Sequence, residues 1–158
     1  MRLTPLPFRA AAFGLVLLAA PVMTSAGAAQ GRSAEDTRTI EGYLLTMPML
    51  RKALPAMYQP GARSCQPSRR SDPATQSLAQ MTRTLEACSA VAESLERAGV
   101  QPHEAAVVFA ALLNVSQQVA RRGGKASALP PGVVRDNALL LEQHDPEFRK
   151  LLETGGQP

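Results

Sequence analysis

Two cysteines, Cys65 and Cys88, are the only thiols in the chain. An even cysteine count favours a disulfide if the protein reaches an oxidising compartment. The bond would close a loop of 24 residues, both ends counted, and chain-entropy arguments value such a loop at roughly 3.5 kcal/mol. The alternative is two free thiols. A zinc site is not indicated, because zinc sites use three or four ligands at short spacings.

Two histidines and three methionines near the start of the predicted domain are further candidates for metal ligands. His103 and His144 each stand at the end of a predicted helix, so they would share a zinc or haem site only if those ends converge. Met47, Met49 and Met57 carry thioethers, which bind Cu(I), but their spacing favours core packing. We therefore assign no catalytic, cofactor-binding or metal residue. A ligand- or metal-carrying bundle that uses these side chains is the alternative.

Basic side chains are concentrated in two predicted loops. They are Arg63, Arg69 and Arg70 in one loop and Arg121, Arg122 and Lys125 in the other. If the helices alternate in direction, both loops lie at the same end of the bundle. Six positive charges there would suit anionic lipid headgroups, lipopolysaccharide or an acidic partner. The alternative is ordinary solvated loops.

The N-terminal segment has the composition of an export signal. Residues 1–9 hold two arginines and no acid, an apolar run of 13 residues follows at 10–22, and small residues continue to Ala29. This order is typical of a secretory signal peptide, and the apolar run is shorter than the roughly 20 residues of a bilayer-spanning helix. We predict a signal peptide at 1–29, cleaved after Ala28 or Ala29. The mature protein is then periplasmic or secreted and has no transmembrane segment.

Length and composition limit the remaining classes. The chain has 158 residues, enough for one domain, and 45% apolar residues, too many for a disordered chain. Its formal charge of +4 falls to +2 without Arg2 and Arg9, because 15 basic residues then face 13 acidic ones. Nucleic-acid binders usually combine a basic face with stacking aromatics. With four Phe, two Tyr and no Trp, no nucleic-acid partner is predicted.

Apolar spacing predicts an all-α domain at 40–154, after a flexible polar leader at 30–39. Thr46 caps helix one, with Pro48 in its first turn, and Pro55 kinks this helix or ends it near Leu54. Helix two begins at Asp72-Pro73 and stops at Gly99. Its apolar face is formed by Leu78, Met81, Leu85, Cys88, Val91, Ala92 and Leu95.

The second half of the domain contains helices three and four. Helix three begins at Pro102, is apolar nearly all round, and ends before Gly123-Gly124, so it belongs at the centre of a bundle. Helix four begins near Val133 and restarts at Asp145-Pro146, with Asp145 as a new cap. Short connections predict four main helices in a compact, mostly antiparallel bundle.

Three short motifs carry a resemblance to a protein group. They are the entry into helix one at 43–47, the hinge Gly99-Val100-Gln101-Pro102-His103-Glu104, and the tail at 136–144. Together they resemble a group of small uncharacterised secreted helical proteins of Gram-negative-type bacteria. The resemblance implies a helical exported domain and transfers no catalytic residue. We therefore expect a non-enzymatic binding or interaction module of the cell envelope, whose partner is an unknown protein or an anionic envelope component.

Overall fold

The structure is a computed structural model that describes residues 31–59, residue 62 and residues 74–154. Within these residues there are seven α-helices and no strand, so the all-α prediction is confirmed. Four main helices were expected. In the structure, the second and the fourth of these are each divided into two helices, and one further helix precedes the first. The helices are α1 (Ala34–Gly42), α2 (Met47–Met57), α3 (Leu78–Ala87), α4 (Ser89–Ala98), α5 (Pro102–Arg121), α6 (Val133–Gln143) and α7 (Asp145–Thr154), with a 3₁₀ turn at Ala126–Ala128.

Helix α1 occupies much of the segment that composition assigned to a flexible leader. Its first turn is closed by a capping box: Ser33 Oγ accepts from the Asp36 N–H at 2.9 Å, and the Asp36 carboxylate accepts from the Ser33 N–H at 3.2 Å. Both bonds satisfy backbone donors that a helix start leaves free. Ile40, 2% exposed, then anchors the helix in the core. The leader prediction is therefore wrong from Ala34 onward.

Helix α2 begins as the sequence predicts and ends later. The Thr46 side chain caps it by accepting from the N–H three residues on, and Pro48 lies in the first turn. Pro55 stays inside the helix, which continues to Met57, so an end near Leu54 is wrong. The helix tolerates Pro55 because α2 is held by tertiary burial: Leu54 is fully buried.

The predicted helix two is two helices. Ser77 caps α3 by accepting from the Gln80 N–H at 3.2 Å, so the helix begins five residues after the expected proline, which lies outside the described residues. At Cys88 the backbone is extended (φ −93°, ψ 96°), and α4 starts at the next residue. The apolar spacing predicted one continuous helix, because the inward-facing positions keep the same period across the break. Gly99, at φ 67°, ends α4 as predicted.

Helix α5 lies at the centre of the fold. It contacts α1, α2, α3, α4 and α6, which confirms the central position expected for a helix that is apolar nearly all round. Its buried positions are mostly small, which lets five neighbours approach closely. The buried residues are Ala105, Ala106, Val107, Val108, Ala110, Ala111, Leu112 and Val115.

The last two helices are separated by His144 alone. Helix α6 ends at Gln143 and α7 begins at Asp145, so the predicted restart is confirmed, with Asp145 as the first helical residue and not as the cap before it. Buried Asn137 ties α6 to the connection between α1 and α2. No helix in the described part of the chain is long and apolar enough to span a bilayer.

Candidate functional surface at the end of α5

Three basic side chains lie where α5 ends: Arg121 is its last residue, Arg122 its C-terminal cap, and Lys125 follows the turn. We call these three residues the α5 basic cluster. The turn between them is made by Gly123 and Gly124, whose φ angles of 84° and 82° lie in the left-handed region that glycine adopts without steric cost. The sequence correctly placed the helix end at this glycine pair.

Backbone hydrogen bonds hold this turn against the end of the helix. The N–H groups of Arg122 and Gly124 donate to the Val119 carbonyl at 3.1 and 2.9 Å. Such bonds satisfy carbonyls that a helix C-terminus leaves free. The direction in which the chain leaves α5 is therefore fixed by local bonding.

A second anchor fixes the residue after the cluster. The backbone N–H of Ala126 donates to a carboxylate oxygen of Glu142, on α6, at 2.7 Å. Ala126 is fully buried and Leu129 nearly so, in a small cluster with Val115 and Ala138. Lys125 is thus held between a fixed helix end and a buried residue, although its own side chain is exposed.

The electrostatic state of the cluster follows from exposure and charge. All three side chains are exposed, and none of them forms an ion pair with another residue in the described ranges. Cations near a helix C-terminus are favoured by the negative end of the helix dipole. The cluster therefore presents three positive charges to water.

The first predicted basic loop cannot be compared with the α5 basic cluster directly. Arg63, Arg69 and Arg70 lie outside the described residues. In an unbroken antiparallel pair of helices two and three, Thr82 would face the C-terminal end of α5. Instead its Oγ1 lies 3.4 Å from Nδ1 of His103, in the first turn of α5 and about 27 Å along that helix from Arg121. The extended backbone at Cys88 interrupts the predicted helix two, and the antiparallel pairing expected for an unbroken helix is not found at Thr82.

The two histidines have different neighbours. His103 contacts Thr82, and Nδ1 of His144 lies 3.7 Å from the Glu147 carboxylate. Met47 is buried in the core, and Met49 and Met57 are partly buried and pack against that core, as expected from their spacing. In residues 31–59, 62 and 74–154, no group of three His, Cys, Asp or Glu side chains is placed to hold a metal ion.

Of the two cysteines, Cys88 alone lies among the described residues. Cys88 is 2% exposed at the junction of α3 and α4, and Cys65 lies outside the described residues. The disulfide between them stays a prediction.

An open cleft of about 220 Å³ lies one helical turn before the α5 basic cluster. It is lined by Gln118 of α5, Glu41 of α1 and residues 129–134. This cleft was not predicted from the sequence. The sequence feature that indicates a non-helical loop at this cleft is the pair Pro130 and Pro131, which keeps residues 129–134 from continuing as a helix through the prolines.

Comparison of the chain with protein-family models, with curated proteins and with solved structures finds no match. The group resemblance therefore stays a prediction that rests on its three motifs.

Proposed function

We propose that this chain is a non-enzymatic, exported helical interaction module of the bacterial cell envelope, and that the α5 basic cluster binds an anionic envelope component. The observation that carries the proposal is the exposure of Arg121, Arg122 and Lys125 at a fixed helix end. Cleavage of a signal peptide at 1–29, the disulfide, and a mostly antiparallel arrangement of neighbouring helices belong to the same proposal.

The cluster suits a charged surface better than a single small anion. Its three cations are exposed at a helix end, where several phosphate groups of a bilayer can approach at once. Each basic residue near an anionic bilayer contributes about 1 kcal/mol. Three of them favour anionic over neutral lipid on the order of 100-fold.

The fixed turn also favours binding. The backbone around the cluster is bonded to Val119 and, through Ala126, to Glu142. Little backbone freedom is lost when a surface binds there, so less of the electrostatic attraction is offset by ordering.

Vesicle co-sedimentation tests the proposal. Vesicles of phosphatidylcholine alone are compared with vesicles that also contain phosphatidylglycerol, at low salt and at about 1 M salt, where the Debye length shrinks to about 3 Å. We expect wild type to bind the anionic vesicles at low salt only. The double variant Arg121→Glu/Arg122→Glu should lose this binding.

A matched control carries the same charge change elsewhere. Arg38 on α1 and Lys52 on α2 are both exposed, so Arg38→Glu/Lys52→Glu alters the net charge equally. If both double variants lose binding to the same extent, only net charge matters and the α5 basic cluster is not the site. Thermal melts of both variants distinguish lost binding from lost helix stability, since Arg121 also interacts with the dipole of α5.

A further inference from the structure

We propose that α7 is a C-terminal strap, which opens about His144 as one unit while the other described helices stay folded. Opening uncovers the apolar side chains of α2 that α7 covers. Opening of α7 is independent of the proposed function, because its evidence is the burial and the contacts of α7 and does not involve the α5 basic cluster.

Burial sets α7 apart from the other helices. Each of α1 to α6 contains at least one buried residue, whereas every described side chain of α7 retains partial or full exposure. Its apolar residues Phe148, Leu151 and Leu152 share one face and pack against the main core without being enclosed by it. Elements with few buried apolar contacts open at a lower free energy than the whole domain.

The hinge is a single residue. His144 (φ −110°, ψ 20°) is the C-terminal cap of α6, and its carbonyl accepts from the Phe148 N–H at 2.8 Å in the first turn of α7. Pro146 keeps the two helices separate, because it has no N–H to donate to Glu142 and its ring would clash with that carbonyl in a continuous helix. Opening therefore pivots α7 away from the domain and does not fuse it to α6.

An exposed ion pair connects the strap to α2. Nε and Nη2 of Arg51 both donate to the Glu147 carboxylate, the second at 3.2 Å. The two side chains are 53% and 36% exposed. Exposed ion pairs contribute little to stability and are screened by salt. This contact therefore orients α7 on α2 but does not prevent the two helices from separating.

The surface beneath the strap is apolar. The main contacts of α7 are with α2 and α6, and Arg51 marks the side of α2 that faces it. Met47 and Leu54 lie four residues before and three after Arg51, so they flank it on the helix surface. They are 6% and 0% exposed in the closed state. Opening of α7 therefore removes the cover that Phe148, Leu151 and Leu152 give to the core cluster containing Met47 and Leu54.

Amide hydrogen exchange, followed by NMR on the full mature chain, tests the proposal. After correction for intrinsic exchange rates, we expect the amides of residues 148–153 to share one free energy of opening and to be at least about tenfold less protected than the α5 amides of Val108 and Leu112. Arg51→Glu should accelerate α7 exchange a further few-fold and leave the α5 amides unchanged. Lys52→Glu, the same charge change at the next residue of α2, should leave both unchanged.

The charge-swapped double variant Arg51→Glu/Glu147→Arg should return α7 exchange to the wild-type rate. Four results overturn the proposal: α7 amides as slow as those of α5, a gradient of rates that falls steadily from residue 153 to residue 148, equal acceleration of α7 and α5 by Arg51→Glu, or equal effects of Arg51→Glu and Lys52→Glu. The gradient would indicate fraying from the end, and equal acceleration would indicate global destabilisation.

Discussion

The side-chain oxygen of Asn137 accepts the backbone N–H of Leu45 at 2.8 Å, across 92 residues of sequence. The same side chain donates through Nδ2 to the carbonyl of Tyr43, also at 2.8 Å. Asn137 is 1% exposed, so both bonds replace bonds to water. Through this one amide, α6 holds the extended connection between α1 and α2, which has no regular backbone pairing of its own.

Replacing Asn137 with Ala should destabilise the protein strongly. The change leaves the Leu45 N–H and the Tyr43 carbonyl without this partner, and each buried polar group left unpaired costs about 1–3 kcal/mol. We expect a total loss of roughly 2–6 kcal/mol in the free energy of unfolding, measured by urea titration. Gln143→Ala, at an exposed position of the same helix, is the control and should change it by less than about 0.5 kcal/mol. An Asn137→Ala variant as stable as this control would contradict the assignment.

The ion pair between Arg51 and Glu147 should make stability depend on pH. Hydrogen bonding from Arg51 is the largest cause that lowers the pKa of Glu147 below its ordinary value of 4.5. A carboxyl with a lowered pKa stabilises the fold above its unfolded pKa, and this contribution is lost as the pH falls through the folded pKa. Wild type should therefore exceed Arg51→Ala in stability above pH 4.5, and the difference should disappear at lower pH.

The measurement is urea unfolding of both proteins across that pH range, with an NMR titration of the Glu147 carboxyl. Lys52→Ala is the control, because it removes a neighbouring charge of α2 and keeps Arg51. A Glu147 pKa that is the same in wild type and in Arg51→Ala would show that the ion pair does not form in solution.

The left-handed turn after α5 should not tolerate a side chain at Gly124. Its φ of 82° disfavours any residue with a Cβ by about 1–2 kcal/mol, although no atom lies within 4 Å of the added carbon. Gly124→Ala should therefore lower the free energy of unfolding by about that amount. Gly42→Ala is the matched control, since Gly42 is equally uncrowded and has no positive φ. Equal stability of the two variants would show that backbone strain is not the cause.

The predicted disulfide is tested by intact mass. Unreduced protein recovered from a periplasm should take up no alkylating reagent, and reduced, unfolded protein should take up two groups. Reduction should lower the free energy of unfolding by roughly 3.5 kcal/mol, because the unfolded chain regains the entropy of the opened loop. Uptake of two groups by unreduced, unfolded protein would exclude the bond, and Cys65→Ser provides the reference for a single thiol.

The sequence predicted the features that depend on neighbouring residues. The cap at Thr46, the stop at Gly99 and the end of α5 before Gly123 each depend on a few backbone groups and one side chain, so the local pattern contains the necessary information. The capping box of Ser33 and Asp36 is equally local. The polar composition of residues 30–39 nevertheless favours a flexible leader, so composition and motif point to different structures there.

Tertiary structure decided the path of the chain between these signals. Leu85, Cys88 and Val91 keep helical spacing across the break between α3 and α4, so periodicity could not reveal it. The break allows α3 to pack against α5 while α4 packs mainly against α2, and the burial of both helices compensates for interrupting the helix. Likewise, the two bonds of Asn137 and the contact between Thr82 and His103 join distant residues. Whether the two residues of such a contact meet depends on the packing of the whole domain, because neither carries a local signal of the other.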